Sequence, residues 1–238
     1  MFARRAVAVS AITLSLAACV PTERVAFMAG PQQQAVVRDG RNTIMSKRKN
    51  STVIVSPASR EIARGARPVF VVALQNNGKI PSDFRVTNVT VVQLQNGAPS
   101  RPMPVVPYET LVSEERTRQV VGALLVGVAA AGNSYAAQNA SYTRGGHYSP
   151  IAGAINGARA DAQNSAMIGD AVAAGQLNLA ALEQNVIKDN TLLPSEWVGG
   201  QLHIEPPQGG TEGPKTYVIT VPVGDEIHEI TVSQGKLV

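Results

Sequence analysis

The rhythm of apolar and polar positions changes twice along this chain, from a period of two to a helical spacing and back. Runs rich in Val, Thr and Phe occupy 51–57 (STVIVSP), 67–78 (RPVFVVALQNNG) and 83–97 (DFRVTNVTVVQLQNG). They close on Asn-Gly or Pro turns and so predict strands. In the third run Phe84, Val86, Asn88, Thr90, Val92 and Leu94 share one parity, whereas Val89 and Val91 take the other. That mismatch predicts a second packing layer or a bulge. Short strands return in EWVGGQLHIEPP, KTYVITVPVG and EIHEITVS, where Leu202 and Ile204, then Tyr217, Ile219 and Val221, then His228, Ile230 and Val232 alternate with other positions.

Between these blocks the pattern is helical. SEERTRQVVGALLVGVAAAGNSYAAQNA starts with Ser113 ahead of Glu114 and Glu115, which predicts an N-cap followed by acids suited to the helix start. Its uninterrupted apolar run, Val120 to Ala131, is shorter than the roughly 20 residues of a membrane span. The expectation is a helix packed on the domain, with membrane contact or self-association as the alternative. In a second helix Ile168, Val172, Gly175, Leu179, Leu182 and Val186 form one stripe, predicted to pack against the sheet and to end before Pro194. The intervening loop QNASYTRGGHYSPIAG, with Tyr135 just before it, supplies a candidate partner surface of Tyr135, Tyr142, Arg144, His147 and Tyr148.

The fold class is therefore mainly β with an α insert: an antiparallel immunoglobulin-like β-sandwich interrupted by an Ala/Gly-rich helical segment. Residues 35–108 make its first β part, 109–192 the helical insert with a central loop, and 193–238 the strands that complete it. NTLLPSEWVGGQLHIEP is also similar to the late-strand entry of immunoglobulin-like bacterial envelope domains, which implies the same sandwich.

The amino end carries a different signal. Arg4 and Arg5 precede a short apolar run and then the LAAC stretch, Leu16 to Cys19, at the only cysteine of the chain. A basic start, a short apolar stretch and small residues at the break describe a secretory signal peptide over residues 1–18. LAAC resembles the box that ends the signal peptides of bacterial lipoprotein precursors. That resemblance implies diacylglyceryl attachment to the Cys19 sulfur, cleavage before it, and acylation of the new amino terminus with a palmitate-type chain. Val20, rather than Asp, follows the cysteine, and by the same resemblance this favours the outer membrane of a Gram-negative cell, facing the periplasm. Residues 19–34 read as the lipidated N-terminus and a tether, PTERVAFMAGPQQQ, leading into the first strand. No second cysteine exists, so no disulfide contributes to stability.

Charge changes the picture only locally. From Cys19 to Val120 there are 14 Lys/Arg against 7 Asp/Glu, and from Val121 onward 5 against 10. The densest basic stretch holds Arg38, Arg41, Lys47, Arg48 and Lys49, read either as a contact for anionic headgroups or glycan, or as a solvated turn between two strands at KRKNS. Aromatic residues are only 4% of the chain, and the basic residues have no aromatic neighbours to stack on, which excludes nucleic-acid recognition.

Nucleophile elbows, phosphate loops and zinc-protease spacings are absent from the sequence. The one arrangement that could hold a metal would bring His203 with Glu205 beside His228 with Glu229 on adjacent strands. The expectation is no catalytic residue, no metal and no cofactor beyond covalent lipid on Cys19. The chain reads as a membrane-anchored envelope lipoprotein with a structural or protein-interaction role, its partner another envelope protein or a second copy. The alternative is a periplasmic ligand-binding or hydrolytic lipoprotein whose site gathers residues distant in sequence.

Overall fold

The computed structural model describes residues 21–38, 40–142, 146–209 and 213–236. Leu16 to Cys19 and Arg144 lie outside the described residues. Strands β1 (Thr22–Met28), β5 (Ile62–Ala63), β8 (Thr90–Gln95), β9 (Ala98–Pro102), β13 (Lys215–Val223) and β14 (Glu226–Gly235) form one sheet in the order β5-β1-β14-β13-β8-β9. Strands β2 (Gln33–Arg38), β3 (Arg41–Lys47), β4 (Ser51–Pro57), β6 (Val69–Asn76), β10 (Val105–Val106) and β12 (Trp197–Ile204) form the other, ordered β10-β12-β6-β4-β3-β2. A small ladder joins β7 (Ser82–Phe84) to β11 (Asn190–Leu192). The paired strands are antiparallel throughout.

The two large sheets share a single apolar core. Ile44, Val53, Val55, Phe70, Val72 and Leu74 from one meet Tyr217, Ile219, Val221, Ile230 and Val232 from the other, all essentially without solvent contact. Phe70 stands edge-on to Tyr217, ring centroids 6.3 Å apart, and tilts against Phe27 at 6.2 Å. The late strands complete what the early ones begin: β12 pairs with β6, and β13 with β8. The insert is thus an excursion from one domain.

Three sequence expectations change. The stretch read as a tether contains β1, whose Glu23 and Val25 point inward and whose backbone pairs with β14. The third run is not one strand. A 3-10 turn, Val86–Asn88, shifts the parity by one residue, so Phe84 before it, Val86 at its start, and Val89 and Val91 after it all reach the core. Asn88 and Thr90, which share the parity of Phe84 and Val86 in sequence, are exposed.

The third change concerns the insert itself. Helix α1 (Tyr108–Asn139) starts five residues before Ser113, whose hydroxyl only donates back to the Thr110 carbonyl. Helix α2 (Pro150–Asn185) is capped by Ser149, which accepts from the Ala152 N–H, with Pro150 in the first turn where its missing donor costs nothing. It stops at Asn185, well short of Pro194, because Val186 turns extended and Ile187 donates to the Gln201 carbonyl of β12. The helices pack on each other and touch the sheets only at their base, which corrects the expected packing of the stripe against the sheet.

Candidate interaction surface

At the base of the hairpin Val106, Leu111 and Val186 are buried together, with Tyr108 and Leu182 half-buried against them. Gly200 of β12 makes this docking possible. A β-carbon there would sit 2.7 Å from the Ile187 nitrogen and 2.9 Å from the Asn185 carbonyl oxygen. Arg67 bridges the base to the sheet, donating to Glu114 of α1 at 2.8 Å and to Glu205 at 2.7 Å. The hydrogen bond from Arg67 holds the Glu114 carboxyl below its ordinary range. His203 lies beside this pair. Burial, reinforced by Arg67, lowers its pKa, and its Nε2 is buried with no hydrogen-bond partner.

Farther out, the facing sides of the helices are small and polar. Asn133 donates to the Asn164 side chain at 3.1 Å, Asn164 donates to the Ala130 carbonyl at 3.3 Å, and Gln119 donates to the Gly175 carbonyl at 2.9 Å. Gly175 and Ala160 are buried between the helices. The apolar side chains face away. Val120, Val121, Leu124, Leu125 and Val128 on α1 are exposed, Val128 at 72%. Ile151, Ile155, Ile168, Val172 and Leu177 on α2 are exposed as well. Along one side Val120, Val126, Ile168 and Val172, with Gly122 and Gly175, border a groove of about 800 Å³. The usual arrangement of an apolar inside and a polar outside is inverted here.

The predicted tyrosine surface is partly assembled by the fold. Tyr142 and Tyr148 bridge across the hairpin tip with ring centroids 5.5 Å apart, and His147 sits between them in sequence, exposed. Tyr135 is exposed two turns back along α1. The predicted basic surface divides. Arg38 and Arg41 oppose each other at one end of the β2–β3 ladder, whereas Lys47, Arg48 and Lys49 occupy the β3–β4 turn at the other end of β3. The KRKNS turn is therefore a hairpin turn as read, with Arg48 donating to the Gln32 side chain at 2.5 Å.

Arg41 instead joins residues that sequence spacing did not connect. With Arg24, Arg60 and Lys236 it lines a cleft of about 470 Å³ between strands of the two sheets. Arg24 is neutralised there by Glu61 at 2.7 Å, and Arg41 donates to the Ala58 carbonyl at 3.0 Å. Glu23, just behind the cleft, is buried, which alone would raise its pKa. Hydrogen bonds from Lys215 and Gln234 and the charges of Lys215 and Arg64 outweigh that, and the net shift is downward.

The imagined histidine metal cluster does not form, because His203 is on β12 and His228 on β14, in different sheets. Among the described residues no group of three metal-ligating side chains converges. His228 does something else. Its Nε2 lies 2.8 Å from Ser51 Oγ and its Nδ1 2.9 Å from Ser46 Oγ, so an imidazole of one sheet joins two hydroxyls of the other. Ser51 also donates to Glu226, whose carboxylate accepts from the Asn50 N–H at 3.0 Å. Burial first, and Arg48 second, lower the His228 pKa to about 4, so the ring is neutral. With His228, Ser46 and Ser51 all sealed in the core, this Ser-His-Ser arrangement staples sheets and presents no hydroxyl to a substrate. Comparison of the chain with protein-family models, with curated proteins and with solved structures gives no match.

Proposed function

We propose that this chain is a lipid-anchored envelope protein with a structural or interaction role and no catalytic one. Cys19 carries the anchor, the outer membrane holds it, the domain faces the periplasm, and the helical hairpin is the contact element. The observation that carries this reading is the inverted hairpin. The sandwich buries its own apolar side chains, so the valines, leucines and isoleucines left exposed on α1 and α2 serve something outside the chain. The LAAC stretch supports the anchor, and the burial of His228 with its two serines supports the absence of catalysis. Two antiparallel sheets over one core support an immunoglobulin-like assignment for the sandwich.

Intact-mass measurement on protein extracted from membranes tests the anchor. The expected species begins at Cys19 and carries diacylglyceryl and acyl groups, and Cys19→Ala releases the protein or leaves an uncleaved precursor. A mature chain that begins elsewhere, with an unmodified Cys19, overturns the reading.

A second reading, ligand binding, has one observation in its favour. The Arg41 cleft brings the side chains of Arg24, Arg41, Arg60 and Lys236 to one place, a cationic lining that suits a phosphate or carboxylate group.

A further inference from the structure

Building on the reading of Cys19 as a lipid anchor, we propose that the α1–α2 hairpin inserts across the hydrocarbon core of the same bilayer, with its tip at the far interface. α1 is the one helix among the described residues long and apolar enough to cross a membrane, and none of its apolar window is buried.

The charges of the hairpin fall into two layers. At the base stand Glu109, Glu114, Glu115, Arg116 and Arg118 of α1, with Glu183 closing α2. Near the tip stand Arg159 and Asp161, the latter facing Ala137 and Gln138 across the hairpin. Between the layers residues 119–140 carry no charge, and residues 162–182 carry only Asp170. From Gln119 to Ala137 the helix rises about 27 Å, close to the roughly 30 Å of a hydrocarbon core. Tyr135, Tyr142 and Tyr148 cluster toward the outer layer, where aromatic rings suit an interface.

Three polar side chains of the charge-free zone behave as lipid requires. Asn133, Asn164 and Gln119 bond within the hairpin, whereas Gln163 and Gln176 of α2 stay exposed among its outward valines, leucines and isoleucines. The apolar residues do not make one seam. Ile168 and Leu177 lie on opposite sides of α2 at about 100° per residue, so a second copy docked on one side would leave the other in water. A lipid environment covers both.

The start of the chain selects the bilayer. The Arg64 N–H donates to the Pro21 carbonyl at 2.9 Å, and Arg67, three residues on, holds Glu114 at the hairpin base. Cys19 is two residues from Pro21, at most about 7 Å of chain. An acyl group on Cys19 therefore puts the membrane surface beside the basal charge layer. Asp170 becomes the one charge at mid-depth, where an acid must be shielded from lipid.

Depth measurement on the full, natively lipidated chain in phosphatidylethanolamine–phosphatidylglycerol vesicles tests this. Acylation leaves Cys19 without a free thiol, so Val128→Cys, with Leu125→Cys as a second exposed position, takes an environment-sensitive dye alone. The expected emission is blue-shifted and quenched several-fold more strongly by mid-chain than by headgroup spin-labelled lipid, while a dye on Arg118→Cys shows the reverse. A dye on His147→Cys should respond to an impermeant quencher only from the lumen of vesicles that carry the sandwich outside.

Water-like emission at both 125 and 128 overturns the proposal, as does stronger headgroup quenching there, which places the hairpin on the surface. A Val128→Cys disulfide dimer without lipid quenching assigns the face to a second copy and overturns it too. The same series in a Cys19→Ser chain, read with the intact mass, separates the two hypotheses. Insertion together with an unmodified Cys19 in the native chain rejects the anchor alone, and acylation with a hairpin in water rejects insertion alone.

Discussion

His228 touches both halves of the sandwich through one ring, and that gives it leverage on stability. An imidazole with an ordinary pKa near 6.5 is held to about 4 when folded, so between those values the unfolded chain binds the extra proton. The sign follows: the stabilisation is complete above about pH 6.5 and is lost progressively as the pH falls to about 4. The full effect is on the order of 3 kcal/mol. Urea denaturation at intervals from pH 7 to pH 4 should show the midpoint falling in wild type. His228→Gln, which keeps polar contacts without titrating near these values, should show a flatter profile over the same range. Equal slopes in the two proteins would remove the staple from the account of acid sensitivity.

The hairpin is an element whose base and shaft obey different rules. Its shaft is held by side-chain amide hydrogen bonds and by Gln119 packed on Gly175, its base by a small apolar cluster and by the backbone of Asn185 to Ile187 lying on β12. Gly200→Ala tests the base. Every near neighbour of the added carbon is backbone, which cannot swing aside as a side chain would. The expected cost is about 1–3 kcal/mol, read as a thermal midpoint lower by about 2–4 °C per kcal/mol in a domain of this size. Gly122→Ala is the matched control, since nothing lies within 4 Å of its position. A Gly200→Ala protein that melts with wild type would mean that the helix–sheet junction gives way without cost.

At the scale of the whole molecule the sandwich has two distinguishable ends. Arg64, Arg67, Pro21 and the hairpin base share one end with Arg41 and the basic cleft, whereas Lys47, Arg48 and Lys49 turn at the other, about 20 Å away along β3. An anchor beside Pro21 brings the cleft end to the headgroups. In Cys19→Ser protein, Arg38→Gln with Arg41→Gln should therefore weaken co-sedimentation with anionic vesicles by about 1 kcal/mol per residue near the surface. That loss should shrink as salt shortens the Debye length to about 8 Å and below. Replacing Lys47, Arg48 and Lys49 with glutamine should leave binding unchanged. The opposite pattern would turn the molecule end for end on the membrane.

Much of this architecture was legible from local pattern. The alternation in β4, β6, β13 and β14, the turn at KRKNS and the helical middle are local consequences of residue type, because a strand or helix period is written in neighbouring side chains. The LAAC expectation is local in the same sense. What the tertiary structure decided is where surfaces meet. A stripe such as Ile168, Val172, Leu179 and Leu182 has the same spacing whether it faces a sheet, another helix or the outside, and only the packed fold shows Ile168 and Val172 turned outward. The parity mismatch at Val89 and Val91 is legible as a second layer or a bulge, but its form, a 3-10 turn at Val86–Asn88, was decided by the fold. The union of Arg41 with Arg24, Arg60 and Lys236, and the separation of His203 from His228, follow from strand order, which links positions far apart in the chain. Periodicity is a property of adjacent residues, whereas a site is a property of the contacts that burial and pairing impose between distant ones.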